Sequence, residues 1–98
     1  MYYRVRFPDV GAGATRLACF IEGESEAAVR ELAADHPHFR GWDASKGSVR
    51  KTNLANRKSL ENRIMDVSNP NAAVLEDGTV LCRSLKRDEV VEHHPERT

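Results

Sequence analysis

Residues 73–82 have the sequence AVLEDGTVLC, which predicts a β-hairpin. This is the clearest local structural signal in the chain. Apolar and β-branched residues flank an Asp-Gly pair, the pattern of two antiparallel strands joined by a tight turn. Asp77 and Gly78 tolerate the positive φ angles of a type I′ turn, so we expect that turn here. Val74 and Leu75 both favour burial, which predicts that the hairpin is central in its sheet or lies under a helix.

The N-terminal segment predicts a second hairpin. Every second residue over 2–7 is apolar or aromatic, as in a strand with one buried face, and the pattern resumes over residues 17–21. Turn-forming residues 8–13 separate the two strands. Within them, Gly11-Ala12-Gly13 lacks the third glycine, the lysine and the helix of a phosphate-binding loop, so we interpret it as a wide hairpin turn.

One helix is predicted directly after this hairpin. Ser25 is a suitable N-cap because its hydroxyl accepts hydrogen bonds from the free amides of the next turn. The helix spans residues 26–35, and Glu26 and Arg30 form an i,i+4 pair on its exposed side. Pro37 ends it, because the residue before a proline is disfavoured in helical geometry.

The middle of the chain shows weaker patterns. Residues 38–53 predict a loop that leads into a short strand near residues 47–52. Thr52 or Asn53 is a candidate cap for a second helix that runs to about residue 67. The apolar residues of this helix recur at i, i+4 and i+7, as Leu60, Ile64 and Val67.

Together these patterns predict a single α+β domain over residues 1–98. We expect the order β-β-α-(β)-α-β-β, with two helices packed on a small mixed or mainly antiparallel sheet of about four to six strands. Residues 84–92 fit either a further strand or a short helix. Residues 93–98 are expected to form a flexible tail.

The two cysteines indicate a reducing compartment. Cys19 and Cys82 lie in alternating apolar stretches, where cysteine acts as a small buried hydrophobe. A disulfide bond between the two cysteines is an alternative if their strands are neighbours. However, the sequence shows no export signal and no apolar run long enough to span a membrane. We therefore expect a cytoplasmic protein without membrane association.

Charge is segregated along the chain although the formal net charge is +0. Residues 1–39 carry four basic and six acidic side chains, and residues 64–98 carry four basic and seven acidic ones. Residues 40–63, the basic segment, carry seven basic side chains and two acidic ones. This segment is the strongest functional signal in the sequence, because clustered cations steer a domain toward an anionic partner.

Within the basic segment we predict a binding surface. It comprises Arg40, Trp42, Lys46, Arg50, Lys51, Arg57 and Lys58. Arginine and tryptophan are enriched at protein–protein hot spots. The leading hypothesis is therefore a small adaptor or inhibitor that docks on a larger protein or ribonucleoprotein, of the kind that phages use against host defence systems.

Two other interpretations of the same surface stay open. One is direct binding of RNA or DNA, with contacts mainly to phosphate and little base specificity. The other is that the charges only solvate a helix and a loop while Trp42 packs on the core. The oligomeric state is left undetermined by the sequence.

Catalysis, metal binding and cofactor binding have no clear signal. No serine, cysteine or threonine lies in a motif that supplies a base and an orienting group. The four histidines and Asp35 offer ligand atoms, but their spacing is not that of a structural zinc site. We therefore expect a non-enzymatic protein without metal or cofactor, unless folding brings the histidines together.

Overall fold

The chain forms six strands and two helices in the computed structural model, which describes residues 1–11, 16–66, 70, 72–84 and 86–94. The strands are β1 (Tyr2–Pro8), β2 (Arg16–Glu22), β3 (Ser48–Lys51), β4 (Ala72–Val74), β5 (Val80–Ser84) and β6 (Glu89–His93). The helices are α1 (Glu26–Asp35) and α2 (Arg57–Met65), and a 3-10 turn spans Pro37–Phe39. The predicted α+β class and element order are confirmed.

All six strands belong to one mixed sheet, in the order β3-β1-β2-β4-β5-β6. β1 and β2 form the predicted N-terminal hairpin, in which Tyr2 is opposite Glu22 and Val5 is opposite Cys19. The tip of this hairpin, including the Gly11-Ala12-Gly13 turn, falls largely outside the described residues. β3 pairs antiparallel with the outer side of β1, while β2 and β4 form the sheet's parallel pair.

Side chains alternate between the two faces of the sheet, and each face carries one helix. The first face packs on Val29 and Ala33 of α1. The second face packs on Leu60 and Ile64 of α2, which are fully buried. The burial of a side chain of this size stabilises the fold by roughly 1.5–3 kcal/mol. The two helices therefore lie on opposite sides of the sheet, and the core is divided into two layers.

Helix α1 has the predicted bounds and the predicted cap. The Ser25 hydroxyl accepts a hydrogen bond from the backbone N–H of Ala28 at 3.2 Å. Arg30 and Glu26 form the expected i,i+4 ion pair, with 3.1 Å between Nε and Oε2. The helix ends at Asp35, and Pro37 begins the 3-10 turn that follows.

Helix α2 starts later than predicted. Its N-cap is Asn56, whose side-chain oxygen accepts from the backbone N–H of Ser59 at 2.9 Å. The predicted cap Thr52 instead donates both its N–H and its hydroxyl to the carbonyl of Tyr2, at 3.0 and 2.9 Å. These bonds extend the pairing between β1 and β3, so the helix cannot begin there. The predicted end at Val67 lies outside the described residues.

The hairpin over residues 73–82 is confirmed, but its turn is not of type I′. A type I′ turn needs positive φ at both central residues, whereas Gly78 alone has it in this turn, at 93°. The Gly78 N–H donates to the carbonyl oxygen of Leu75 at 2.9 Å, and the Leu75 N–H donates to the carbonyl oxygen of Thr79 at 2.8 Å. This pattern is that of a three-residue hairpin loop in which a glycine forms a bulge.

The C-terminal segment adds a strand where the sequence left two alternatives. β6 pairs antiparallel with β5, and His93 is opposite Val80. His94 also has a defined contact, because its Nδ1 lies 3.2 Å from the Thr79 hydroxyl. The predicted tail therefore does not begin at His93, and residues 95–98 are outside the described part of the chain.

The two cysteines do not lie on neighbouring strands. Cys19 is in β2 and Cys82 is in β5, with β4 between them, and Ala72 is the partner of Cys82 on β4. Two strand spacings separate them by about 9 Å, which is beyond the reach of a disulfide. Both thiols are free, and burial raises the pKa of each. Among the described residues, no helix is long and apolar enough to cross a membrane.

Candidate anion-binding face

The second face of the sheet is only partly covered by a helix. α2 packs on β5 and β6, at one side of the sheet. On the other side, Arg4 and Arg6 of β1 and Arg50 of β3 are exposed. They share a face because alternate residues of a strand point the same way, and Tyr2 of this face contacts the α2 core. β1 and β3 are therefore not covered by α2 at these positions, and they expose cations there instead of burying apolar side chains.

The strand register brings these arginines close together. Arg4 and Arg50 are direct cross-strand partners, and Arg6 is opposite Ser48. Such partners have Cβ atoms about 5 Å apart on one face of an antiparallel pair. The four side chains line a cavity of about 290 Å³.

A second cavity, of about 240 Å³, adjoins the first and shares Arg4 and Arg50 with it. It reaches across the sheet from β3 to α2, which contributes Arg63. Its other lining residues are Phe20, Lys51, Thr52, Asn53 and Leu54. We call the surface formed by Arg4, Arg6, Arg50 and Arg63 the arginine face.

The four arginines of the arginine face form no ion pair with any residue that the structure describes. Arginines 30, 57 and 87 form ion pairs with glutamates, whereas none of the four arginines of the face does so. Like charges directly opposite on paired strands are unfavourable. The Arg4 and Arg50 pair therefore concentrates positive charge that an external anion would neutralise.

The chemistry of this surface suits oxyanions. A guanidinium presents a planar fork of N–H donors that matches two oxygens of a phosphate or a carboxylate. The Ser48 hydroxyl adds a further donor in the first cavity. Three arginines on two adjacent strands provide several such forks within a short distance, as binding of a multiply charged anion requires.

Of the predicted binding surface, the structure brings only two residues to the cavities of the arginine face. Arg50 lines both cavities, and Lys51 lines the second one. Lys58 is exposed on α2. Arg57 is engaged elsewhere, because its guanidinium pairs with Glu61 and Glu92 at 3.1 Å each.

The other three predicted residues lie in the loop before β3. Arg40 and Lys46 are exposed there. Trp42 is half-buried against the α1 side of the core, where its ring centroid is 4.8 Å from that of Phe39. It also forms an isolated bridge with Asp9 at the end of β1. Trp42 and the arginine face therefore belong to opposite faces of the sheet.

Sequence reasoning missed Arg4 and Arg6 because they are far in sequence from the basic segment. Arg63 was counted in that segment without being assigned to the predicted surface. The available signal was the spacing of Arg4 and Arg6, two cations at alternate positions of a predicted strand. It could not be used without knowing that β3, which carries Arg50, is the neighbour of β1.

The sequence left open whether folding brings the histidines together. His36 and His38 are near each other, with ring centroids 6.4 Å apart. Both ring nitrogens of His36 are in hydrogen bonds, since Nε2 contacts the Gly78 carbonyl at 2.7 Å and Nδ1 accepts from the His38 N–H at 3.0 Å. Within the described ranges, no three His, Cys, Asp or Glu residues are placed to hold a metal ion.

Comparison with known proteins gives no guide to the function. No family model, curated protein or solved structure matches this chain. The function must therefore be argued from the arginine face and its surroundings.

Proposed function

We propose that the protein is a non-catalytic binding module that holds the phosphate backbone of a nucleic acid on its arginine face. The observation that carries this proposal is the direct opposition of Arg4 and Arg50, with no described ion-pair partner for either. Phosphate contacts from arginine supply most of the affinity in binding that is independent of sequence.

The surroundings of the face favour phosphate over the apolar anchor of a protein partner. Protein interfaces gain most of their energy from a buried apolar or aromatic centre. Among the described residues, Met1 and Val10 are the large hydrophobic side chains that are exposed, and neither lines the two cavities. Trp42, the predicted anchor, contributes to the core on the other side of the sheet.

The second candidate function is docking on an acidic surface of a larger protein or ribonucleoprotein. In that case the protein would be an adaptor or an inhibitor, for example of the kind that phages use against host defence systems. The formal net charge of +0 favours this candidate, because dedicated nucleic-acid binders are commonly basic overall. A cytoplasmic location belongs to both proposals and is supported by the two free thiols.

A titration against labelled single-stranded RNA and duplex DNA at two salt concentrations tests the leading proposal. The informative variant is Arg4→Gln/Arg50→Gln, which removes two charges from the face. Its matched control is Arg40→Gln/Lys46→Gln, which removes two exposed charges from the loop before β3. We expect the first variant to weaken binding by at least about tenfold and the control to change it by less than about twofold.

Two results would contradict this proposal. Equal losses from both variants would mean that only overall charge matters and that the face is not a site. The absence of any binding at low salt would remove nucleic acid as the partner. Affinity capture of proteins, with the Arg4→Gln/Arg50→Gln variant as the control bait, would then test docking on an acidic protein.

A further inference from the structure

The two adjoining cavities differ in chemistry although they share two arginines. The first is lined by Arg4, Arg6, Arg50 and Ser48, all of them polar. The second also carries four cations, because it adds Lys51 and Arg63 to the shared arginines, but it includes the apolar side chains of Phe20 and Leu54 as well. A ligand that fills both can therefore place negative charge along the arginines and a less polar group against Phe20 and Leu54.

We infer that the arginine face takes a single nucleic-acid strand, with phosphates at Arg4, Arg6 and Arg50 and one unpaired base in the second cavity. The inference rests on the proposed function and specifies its ligand. A base is a flat ring with donors and acceptors at its edge, so it needs an apolar surface and a few polar groups around it.

The lining of the second cavity provides both kinds of contact. Phe20 and Leu54 also pack in the α2 core, where Phe20 is 3% exposed and Leu54 is half-buried, so Leu54 supplies most of the apolar floor of the cavity. Asn53 lies beside them, is exposed, and makes no hydrogen bond to another described residue. Its amide offers two donors and one acceptor group, which is the set that reads a base edge.

The size and position of the second cavity suit one unpaired base better than a base pair. At about 240 Å³ it is smaller than the pockets of about 300–1,000 Å³ that enclose drug-sized ligands. It lies between β3 and α2, since its lining runs from Arg50 to Arg63. A base in a duplex is stacked and paired on its edge, so only the phosphates of a duplex reach this surface.

Neighbouring contacts keep Asn53 in place without using its side chain. Thr52, which precedes it, is bound to the Tyr2 carbonyl by its N–H and its hydroxyl. The Thr52 hydroxyl also accepts from the Leu54 N–H at 3.3 Å. The backbone around Asn53 is thus fixed at the end of β3, and the residue can be changed without loss of a described fold contact.

The experiment compares three probes and two matched variants. The probes are a labelled single-stranded RNA, the duplex of the same sequence, and inorganic polyphosphate, which has charge but no bases. Asn53→Ala removes the amide in the second cavity, and Asn62→Ala removes an exposed amide of α2 that lines neither cavity.

We expect the native protein to bind the single strand at least about tenfold more tightly than the duplex, because only the single strand supplies an unpaired base. Asn53→Ala should weaken binding of the single strand by about fivefold, the loss expected for one hydrogen bond. It should leave polyphosphate binding unchanged, and Asn62→Ala should change neither.

The results separate this inference from the proposed function. Equal affinity for single strand and duplex, or an Asn53→Ala variant that binds every probe like the native protein, would overturn the base-binding cavity. The arginine face would still stand if Arg4→Gln/Arg50→Gln lost binding of all three probes. Absence of binding to any probe at low salt would overturn both proposals.

Discussion

Arg4 of β1 and Arg50 of β3 are directly opposed across an antiparallel strand pair, and neither forms an ion pair with a described residue. A domain selected only for stability gains nothing from this arrangement, because like charges in such positions repel. Surface arginines at strand edges do limit edge-to-edge aggregation, which accounts for Arg50 on the edge strand β3. It does not account for Arg4 and Arg6, because β1 lies inside the sheet.

Arg4→Gln should therefore stabilise the isolated protein at low ionic strength. We expect the free energy of unfolding to rise by about 0.2–1 kcal/mol, the range for cross-strand pairs. The gain should shrink at high salt because the charges are exposed and screened. Urea denaturation at two salt concentrations measures both effects, with Arg40→Gln as the control. A lower stability than that of the native protein at low salt would show that Arg4 is not under repulsion.

The dependence of RNA affinity on salt should count the arginines in contact with phosphate. For single strands the slope of log affinity against log salt is about −0.7 per neutralised phosphate, so contacts at Arg4, Arg6 and Arg50 give about −2. Arg4→Gln should make this slope less steep by about 0.7. Titrations at several salt concentrations provide both slopes. An unchanged slope would indicate that Arg4 does not contact a phosphate.

Arg57 should act in stability rather than in binding. Its guanidinium links α2 to β6 through Glu92 and also pairs with Glu61 on its own helix. The side chains of these three residues are about a third to a half exposed. Arg57→Gln should therefore lower the free energy of unfolding by no more than about 1 kcal/mol. RNA affinity should change by less than about twofold.

A double-mutant cycle with Glu92→Gln checks this assignment of Arg57. Urea denaturation of the two single variants and the double variant gives the coupling energy of the pair. If Arg57→Gln weakened RNA binding as much as Arg4→Gln, the binding surface would extend over α2, as the sequence had predicted.

Gly47 should be intolerant of any side chain because of how closely β3 approaches β1. Its φ angle is 96°, and a Cβ atom there would overlap the carbonyl oxygen of Arg6. The left-handed backbone strain of an alanine and its clash with Arg6 together predict that Gly47→Ala lowers the free energy of unfolding by about 3 kcal/mol or more. Gly41→Ala is the matched control, since Gly41 also has positive φ, at 89°, but has open space around it. Similar losses for the two variants in urea denaturation would refute the proposed close contact.

Local patterns were sufficient to predict the local elements. The Ser25 cap and Pro37 determine the bounds of α1, and alternation predicts β1. The Asp-Gly pair between apolar residues predicts the hairpin of β4 and β5, and each of these signals depends on residues near one another in sequence. The turn type was wrong because Asp-Gly fits both a type I′ turn and a longer loop with a bulge, and the closing pair Leu75 and Thr79 distinguishes them.

Long-range pairing is what the sequence does not contain. The parallel pairing of β2 with β4 and the position of β3 beside β1 join segments that are far apart in the chain. Thr52 illustrates the consequence, since a residue that is a good cap locally is used instead to bond with Tyr2. The arginine face was missed for the same reason, because Arg4 and Arg50 become neighbours only through the β1–β3 pairing.

His38 provides a prediction for the opposite side of the molecule. Its ring packs edge-on against Phe39, with 4.9 Å between centroids, and lies 5.9 Å from the ring of Trp42. Burial, followed by the nearby His36 and His93, lowers the pKa of His38 below its ordinary value of 6.5. The folded protein therefore binds a proton at this site less readily than the unfolded chain does.

Stability should consequently decrease as the pH falls below about 6.5, because the unfolded state then takes up the proton first. Above that pH both states leave His38 neutral, and its contribution to stability is constant. His38→Phe keeps an aromatic ring but does not titrate, so it should lose less stability than the native protein between about pH 7.5 and pH 5.5. Urea denaturation of both proteins at these two pH values measures the difference, in which the titration of other groups cancels. An equal decrease in the two proteins would show that protonation of His38 is not coupled to unfolding.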